Sequence, residues 1–220
     1  MLERLISGGV MMVPLIACSV LMVAVLIERG RAFYLNGKID VRAMRAKMLT
    51  LLGQDRLEDA MALCASTPGP VSAVLLVGLQ TYQTTRTMKT SPDQQRLLIE
   101  KAMDDYAPQA IHAIELRLNW LSTISNVAPL FGMTGTVTGM IRSFGSLSGA
   151  GTLDAGVVGA GISEALVATA SGLIIALTSL IPYNAFMNKV EKIGLEIGDA
   201  SSELLQFVTL YTDQQRRNAK

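Results

Sequence analysis

The sequence predicts an all-α, polytopic membrane protein with three transmembrane helices, two of which extend into a cytoplasmic helical bundle. The first observation is composition, because half of the 220 residues are hydrophobic and the formal net charge is only +1. The second is a set of uncharged runs at 10–27, 118–141 and 165–188. Each run reaches the roughly 18–20 residues that a helix needs to cross a hydrocarbon core about 30 Å thick. The third is the helical spacing of apolar residues before the second run and after the third.

The first run predicts a retained transmembrane helix rather than a signal peptide. Glu3 and Arg4 make a poor basic start, and residues 27–31 (IERGR) offer no small-residue cleavage site. Basic residues set the orientation, because Lys and Arg concentrate on the cytoplasmic side of a membrane. Arg4 alone precedes the first span, whereas Arg29, Arg31 and several others follow it. The N-terminus is therefore predicted to face outward, and the middle segment and the C-terminus to face the cytoplasm.

This division gives the chain seven segments. They are an outer-face amphipathic segment at 1–9, transmembrane helices at 10–28, 118–144 and 162–188, a cytoplasmic helical region at 29–117, a short outer hairpin at 145–161 and a cytoplasmic C-terminal helix at 189–220. In the cytoplasmic region, apolar spacing predicts helices at 41–52, 55–65 and 71–82, with a loop at 84–93.

The second and third spans are predicted to belong to much longer helices. No turn signal interrupts the chain between residue 92 and the second span, so one continuous helix is expected there, with Pro108 as a possible bend. After the third span the apolar spacing continues to residue 210. These two extensions are expected to pack with the short helices as one cytoplasmic bundle.

Several classes of function are disfavoured by what the sequence contains. Cys18 falls in the first span and Cys64 in the cytoplasmic region, placements that favour neither a disulfide nor a metal site, so Cys64 is predicted to be a packing residue. The balanced charge predicts no nucleic-acid partner. No nucleophile–base or metal constellation indicates an enzyme, and no cofactor is predicted.

Small and hydroxylated residues form a stripe along the second span, at 126–143 (NVAPLFGMTGTVTGMIRS). At about 100° per residue, Thr136 lies in the middle of that stripe, and Thr169 has the same place on a stripe of the third span. Ordinary small-residue packing explains the stripes as well as a functional role does. Five glycines of the two spans are predicted to be close-approach contacts: Gly132, Gly135, Gly139, Gly161 and Gly172.

Glu164 stands at the outer end of the third span. An ionisable group in a membrane span is costly and indicates a functional site by default. A structural explanation is nearly as good, because an acid in the first turns of a helix interacts favourably with the helix dipole, and Arg142 across the hairpin can pair with it. Both explanations stay open from the sequence alone.

Two motifs resemble the signatures of a known family. Residues 119–132 (NWLSTISNVAPLFG) and 161–173 (GISEALVATASGL) resemble the second-span and third-span signatures of the MotA/TolQ/ExbB proton-channel family. Ile27-Glu28-Arg29 also matches, and the resemblance covers most of the chain. The form Asn126-Val127-Ala128-Pro129 is most similar to the ExbB (biopolymer transport) branch, and three spans are unlike the four of MotA.

The resemblance implies a homopentamer in the bacterial inner membrane, with the N-terminus and the hairpin in the periplasm. The second and third spans would line a central pore that holds a single-span, ExbD-like partner. Proton flow would drive this partner, and a TonB-like protein would carry the force to the outer membrane. Position by position, Thr136 and Thr169 match pore-lining hydroxyls and Glu164 matches the membrane-edge acid of the proton path. The glycines would then let five subunits pack around the pore.

The two threonines are predicted to face the pore at a similar depth. Thr136 lies six residues inside Arg142, and Thr169 lies five residues inside Glu164. A hydroxyl both donates and accepts hydrogen bonds, which suits this pair to hold a partner carboxylate or a file of water. Two alternatives to an ExbB-type motor are a TolQ-like envelope-maintenance motor subunit and a non-conducting membrane scaffold that uses the stripes only for assembly.

Overall fold

The protein is all-helical throughout the part that its computed structural model describes, which is residues 9–36, 40–88, 90–150 and 155–218. The helices are α1 (Met12–Asn36), α2 (Val41–Gly53), α3 (Leu57–Ser66), α4 (Pro70–Thr87), α5 (Pro92–Ala150) and α6 (Ala155–Asn218). The all-α prediction is confirmed for these residues. The predicted outer-face segment at 1–9 lies outside them except for Gly9.

Helices α5 and α6 run without a break through 59 and 64 residues. The prediction of one helix from residue 92 through the second span is confirmed, and so is the continuation of the third span past residue 188. The helical backbone of α5 continues through Pro108 and Pro129. Pro182 likewise lies inside α6 and does not end it. A proline removes one backbone hydrogen bond, and neighbouring helices and hydroxyl side chains offset that loss in apolar surroundings.

The predicted loop at 84–93 is wrong over its first half. Helix α4 continues to Thr87, and α5 already begins at Pro92. The hydroxyl of Thr84 donates to the carbonyl of Gln80 at 2.9 Å, one turn back, so this polar residue bonds inside the helix instead of ending it. Gln95 then donates from Nε2 to the buried Thr85 hydroxyl at 3.0 Å, which fixes the start of α5 against the end of α4.

Other helix ends also differ from the predicted ones. Asp55, predicted to begin a helix, has φ +57° and belongs to the turn before α3. The outer hairpin predicted at 145–161 is shorter, because α5 extends to Ala150 and α6 resumes at Ala155. Residues 151–154 lie outside the described part of the chain.

Two of the helices are long and apolar enough to cross a membrane. Their apolar stretches are Met12–Tyr34 in α1 and Val158–Tyr211 in α6. In the described residues, the uncharged run of α5 does not reach the same mean hydropathy, because Asn, Ser, Thr and Gly are interspersed among its apolar residues. Length and composition therefore support two of the three predicted spans, and the second span stays a prediction.

The described residues separate into two compact units. The span unit contains those of Met1–Gly30 and Arg117–Met187, and the bundle unit contains those of Arg31–Leu116 and Asn188–Lys220. All the short helices lie in the bundle unit, together with the polar extensions of α5 and α6.

The core of the bundle unit joins the short helices to both extensions. Its buried residues include Met48, Leu75, Leu79, Ile99, Met103, Leu204 and Val208. The predicted packing of the extensions with α2, α3 and α4 is thereby confirmed. Helix α4 packs closely on α5 at Gly78, since a Cβ there would lie 2.7 Å from Sδ of Met103. Cys64 is buried in this core, and burial raises the pKa of its thiol to about 11.

The span unit has a smaller core, where the start of α1 packs against α5 and α6. Met12, Leu15, Ala128 and Ala168 are buried together, with Phe131 and Ile175 packed against them. Large apolar side chains elsewhere on the same helices are exposed: Val13, Val20, Leu130, Met133, Leu166, Leu173 and Ile181. An apolar surface of this extent is typical of a protein that contacts lipid or further subunits.

Candidate functional site

Helices α5 and α6 approach each other backbone to backbone in the middle of the span unit. A Cβ added at Gly172 would lie 2.6 Å from the carbonyl oxygen of Ala128. A Cβ added at Gly132 would lie 3.0 Å from Cα of Thr169. No side chain fits at either position without moving a helix, so both glycines set the distance between the two spans.

The other predicted glycines lie in the same interface, nearer the outer end. A Cβ at Gly139 would lie 3.2 Å from the carbonyl oxygen of Gly161, and a Cβ at Gly135 would lie 2.7 Å from Cβ of Ala168. A Cβ at Gly161 would overlap the hydroxyl of Ser143. All five glycines therefore contact a helix of their own chain, and the expected packing between subunits stays a prediction.

Thr169 joins this contact through a hydrogen bond. Its hydroxyl donates to the carbonyl oxygen of Gly132 on α5 at 2.9 Å and is partly buried. The Thr136 hydroxyl donates within its own helix, to the carbonyl oxygen of Met133 at 2.7 Å. Gly132 precedes Thr136 by four residues, which is about 6 Å of helix. The structure thus places the Thr169 hydroxyl against the turn of α5 that leads to Thr136.

These bonds change what the hydroxyls can do chemically. A threonine hydroxyl has one hydrogen to donate and two lone pairs that accept. Because Thr136 and Thr169 already donate to backbone carbonyls, only their lone pairs are left for a third group. The two hydroxyls suit a water molecule or a protonated carboxylic acid, which can donate to them. They offer no hydrogen to an ionised carboxylate, which only accepts, and the expectation that they hold a partner carboxylate or a file of water stays a prediction.

A second hydroxyl group forms a hydrogen bond between the two spans, and the sequence did not predict this bond. Ser179 is 0% exposed, and its hydroxyl donates to the carbonyl oxygen of Leu121 on α5 at 2.8 Å. Ser179 lies on the same stripe of α6 as Thr169, ten residues further along the helix. Each of these two residues donates to an α5 carbonyl, so the stripe that indicated small-residue packing also indicated this second bond.

Glu164 contacts both other helices of the span unit or the residues that lead into them, at the end where α1 begins. Its Oε1 accepts from Nη1 of Arg142 at 2.9 Å, and the Glu164 side chain is 26% exposed. The same carboxylate lies against Gly9, where an added Cβ would overlap Oε1. Gly9 has φ +73°, and its carbonyl accepts from the amide of Met12 at the start of α1 at 3.0 Å. The predicted pairing with Arg142 is confirmed, while the contact with Gly9 had no signal in the sequence.

A charged cluster ties α1 to α5 at the opposite end of the span unit. Glu28 accepts from Nη2 of Arg29 at 3.2 Å and also pairs with Arg117 of α5. The Arg29 side chain is largely buried although it is charged. The sequence indicated no contact for Glu28 or for Arg29. One ion pair thus joins α1 to α5 at this end, and another joins α5 to α6 at the end where Glu164 lies.

Comparisons with known proteins all match one family of membrane proteins. The sequence model of the MotA/TolQ/ExbB proton channel family matches residues 62–198. Biopolymer transport protein ExbB-like 3 of Synechocystis sp. is 35% identical over 186 residues, 82% of this chain and 81% of the relative. The Tol-Pal system protein TolQ of Haemophilus influenzae is 27% identical over 205 residues, 92% of this chain and 89% of the relative. Biopolymer transport protein ExbB of Neisseria gonorrhoeae is 30% identical over 148 residues, 66% of this chain and 67% of the relative.

Proposed function

The chain belongs to the MotA/TolQ/ExbB proton channel family, and we propose that it is the channel subunit of an inner-membrane motor that energises TonB-dependent transport across the outer membrane. The family match covers more than half of the chain. Relatives named for ExbB and biopolymer transport support this branch of the family. In the proposed motor, five copies of the chain surround a single-span, ExbD-like partner, and a TonB-like protein receives the force.

The observation that carries the proposal is the α5–α6 pair, in which the hydroxyls of Thr136 and Thr169 both donate their hydrogens to backbone carbonyl oxygens. Thr169 bonds across the interface to the turn of α5 that leads to Thr136, and both hydroxyls keep their lone pairs for a further group. An ExbD-like partner would bring a membrane aspartate to this level. Because the hydroxyls only accept, they stabilise that carboxyl group while it is protonated and offer no bond to its ionised form. A proton would therefore cross this level on the neutral acid, which avoids placing a charge in the span.

Glu164 has a different role in this proposal. It lies at the outer end of the pair, still partly exposed, and is paired with Arg142. A carboxylate there is placed to exchange protons with the periplasmic side before they reach the threonines. The topology that this requires has the N-terminus and the short hairpin in the periplasm and the bundle unit in the cytoplasm, as the basic residues predict.

Proton flux tests the proposal directly. The chain is reconstituted with its single-span partner in vesicles, and flux is followed with a pH-sensitive dye under an imposed gradient. Thr136→Val and Thr169→Val keep the side-chain shape and remove the lone pairs, so each should reduce flux severalfold in an intact oligomer. Thr134→Val is the matched control, because Thr134 is exposed and its hydroxyl bonds only to Leu130 of its own helix.

Two outcomes of this experiment and one gene deletion separate the candidate functions. Unchanged flux in both valine variants would overturn the role of the hydroxyls. Absence of flux in the wild-type assembly would favour the scaffold. A TolQ-like motor is the second candidate that conducts, and the relative named TolQ, which aligns over most of both chains, supports it. Deleting the gene separates the two motors, since loss of TonB-dependent uptake indicates the ExbB type and loss of envelope integrity indicates the TolQ type.

A further inference from the structure

The bundle unit contains a cavity of about 390 Å³ that the proton path does not use. It lies among the end of α1, the start of α2, the α3–α4 connection and the first part of α6 beyond its uncharged run. Three basic side chains line it: Arg42, Lys189 and Lys192. A volume of this size is in the range of binding sites for small molecules, about 300–1,000 Å³.

The charges around the cavity favour an anion. Two acidic residues also line it, Asp40 and Glu196. The Asp40 carboxylate is already engaged as the cap of α2, where Oδ1 accepts from the amide of Ala43 at 3.0 Å. Lys189 and Lys192 are exposed, and the Lys189 ammonium lies 5.8 Å from the ring centroid of Phe33. Basic charge is therefore in excess among the groups that remain for a ligand.

Two helices also begin at this cavity. The first residues of α2 and of α4 line it, so the positive ends of two helix dipoles add to the lysines. In the described part of the chain, no side chain caps α4: its N-cap is Gly69 at φ +139°, and the Ser72 hydroxyl donates to the carbonyls of Thr67 and Gly69. Val71 and Ser72 are buried residues, and the N-cap glycine offers their amides no side-chain acceptor.

The apolar lining residues, and the position of Lys189 next to the third span, favour a lipid headgroup over a free phosphate ion as the bound anion. Phe33, Met44 and Ile193 give the cavity an apolar side. Lys189 follows directly on the uncharged run that ends at residue 188, and basic residues at that position attract the anionic lipids of the cytoplasmic leaflet. A free phosphate ion would use the basic side but would gain nothing from the apolar one.

We propose that this cavity binds the phosphate headgroup of an anionic phospholipid from the cytoplasmic leaflet. The lysines and the amides at the start of α4 would hold the phosphate, and the apolar side would accept the glycerol and the first acyl methylenes. A bound lipid would then join the short helices to α1 and α6 at the membrane surface. The proposal takes the membrane orientation from the proposed function and does not depend on proton conduction.

Native mass spectrometry of the purified full-length protein tests the site. Phosphatidylglycerol and phosphatidylcholine are each added to delipidated protein in mild detergent, and the bound fraction is measured as lipid is titrated. Removing two lysines at about 1 kcal/mol each should weaken phosphatidylglycerol binding on the order of 30-fold, so Lys189→Gln with Lys192→Gln is the test variant. Arg96→Gln with Lys101→Gln is the matched control, since both residues are exposed on α5, away from the cavity.

Each outcome of the binding measurement either supports or overturns the proposed lipid site. It is supported if the test variant loses phosphatidylglycerol while the control variant and the unfolding temperature of lipid-free protein stay unchanged. It is overturned if phosphatidylcholine binds the wild type equally well, or if both double variants bind alike. Displacement of the lipid by millimolar inorganic phosphate would also overturn it, because the cavity would then be a site for a soluble anion. Proton flux is not a readout here, so a failure of the channel proposal is seen separately.

Discussion

Adding one methyl group at Gly172 should separate the two central spans and destabilise the protein. The Cβ of Gly172→Ala would lie 2.6 Å from the carbonyl oxygen of Ala128, whereas ordinary contact begins at 3.4 Å. The obstructing atoms belong to the backbone of α5 and cannot rotate away, so the whole helix must move by about 0.8 Å. Gly159, on the same helix, has no heavy atom within 4 Å of its added Cβ. Gly159→Ala is therefore the matched control.

The comparison isolates the steric cost. Alanine gains about 0.8–1 kcal/mol over glycine in a helix, and this gain is common to both variants. Overpacking a closely packed interface costs about 1–3 kcal/mol, and only Gly172→Ala incurs it. The two unfolding free energies should therefore differ by about 1–3 kcal/mol. For a chain of this length each kcal/mol moves the unfolding temperature by roughly 2–4 °C.

Thermal unfolding in one detergent measures the difference. Trp120 is the single tryptophan and lies in the span unit, so its fluorescence reports on the helices concerned. We expect Gly172→Ala to unfold several degrees below Gly159→Ala. Equal unfolding temperatures would mean that the two helices can move apart without a cost in stability. The backbone contact would then not set their spacing.

Three further predictions concern contacts at the ends of the two units. Arg142→Ala and Glu164→Gln should be non-additive by about 0.5–1 kcal/mol in a double-mutant cycle of unfolding free energies, because their charged atoms lie 2.9 Å apart; additive values would contradict a working ion pair. Gly9→Ala should lower stability by about 1–2 kcal/mol, since φ is +73° and the new Cβ overlaps the Glu164 carboxylate; an unchanged unfolding temperature would show that the contact is not maintained. The hydrogen bond from Arg86 lowers the pKa of Asp55, so this exposed pair stabilises the fold above the ordinary pKa of Asp and ceases to do so as the pH falls through the lowered value. Arg86→Gln should cost less than about 1 kcal/mol at neutral pH and nothing in acid, and a cost that persists in acid would rule out the charge as its origin.

The long helices could be predicted from the sequence because their cause is local. Apolar residues at helical spacing, with no turn signal between residue 92 and the second span, require one continuous helix in α5. The loop predicted at 84–93 failed for a reason that lies elsewhere in the chain. Its threonines favour a loop by composition, but the buried bond from Gln95 to Thr85 forms only once α5 packs against α4. Tertiary contact overrode composition there.

The candidate site shows the same limit. Periodicity placed the glycines on one face of each span, but a helical period carries no information about which chain that face meets. The structure shows the α5–α6 contact within one chain. Gly9 could not be predicted as a neighbour of Glu164, because the two are far apart in sequence and only the folded span unit brings them together.

Packing and proton chemistry need not be rival explanations of the small-residue stripes, because one contact serves both. Gly132 has no side chain, so α6 comes close enough for the Thr169 hydroxyl to donate to the Gly132 carbonyl. That donation is what leaves the hydroxyl with only lone pairs to offer. A larger residue at Gly132 would push α6 away and break this bond between the two helices. In the proposed channel, the glycine therefore sets the spacing of the helices and, through that spacing, the position of the threonine lone pairs.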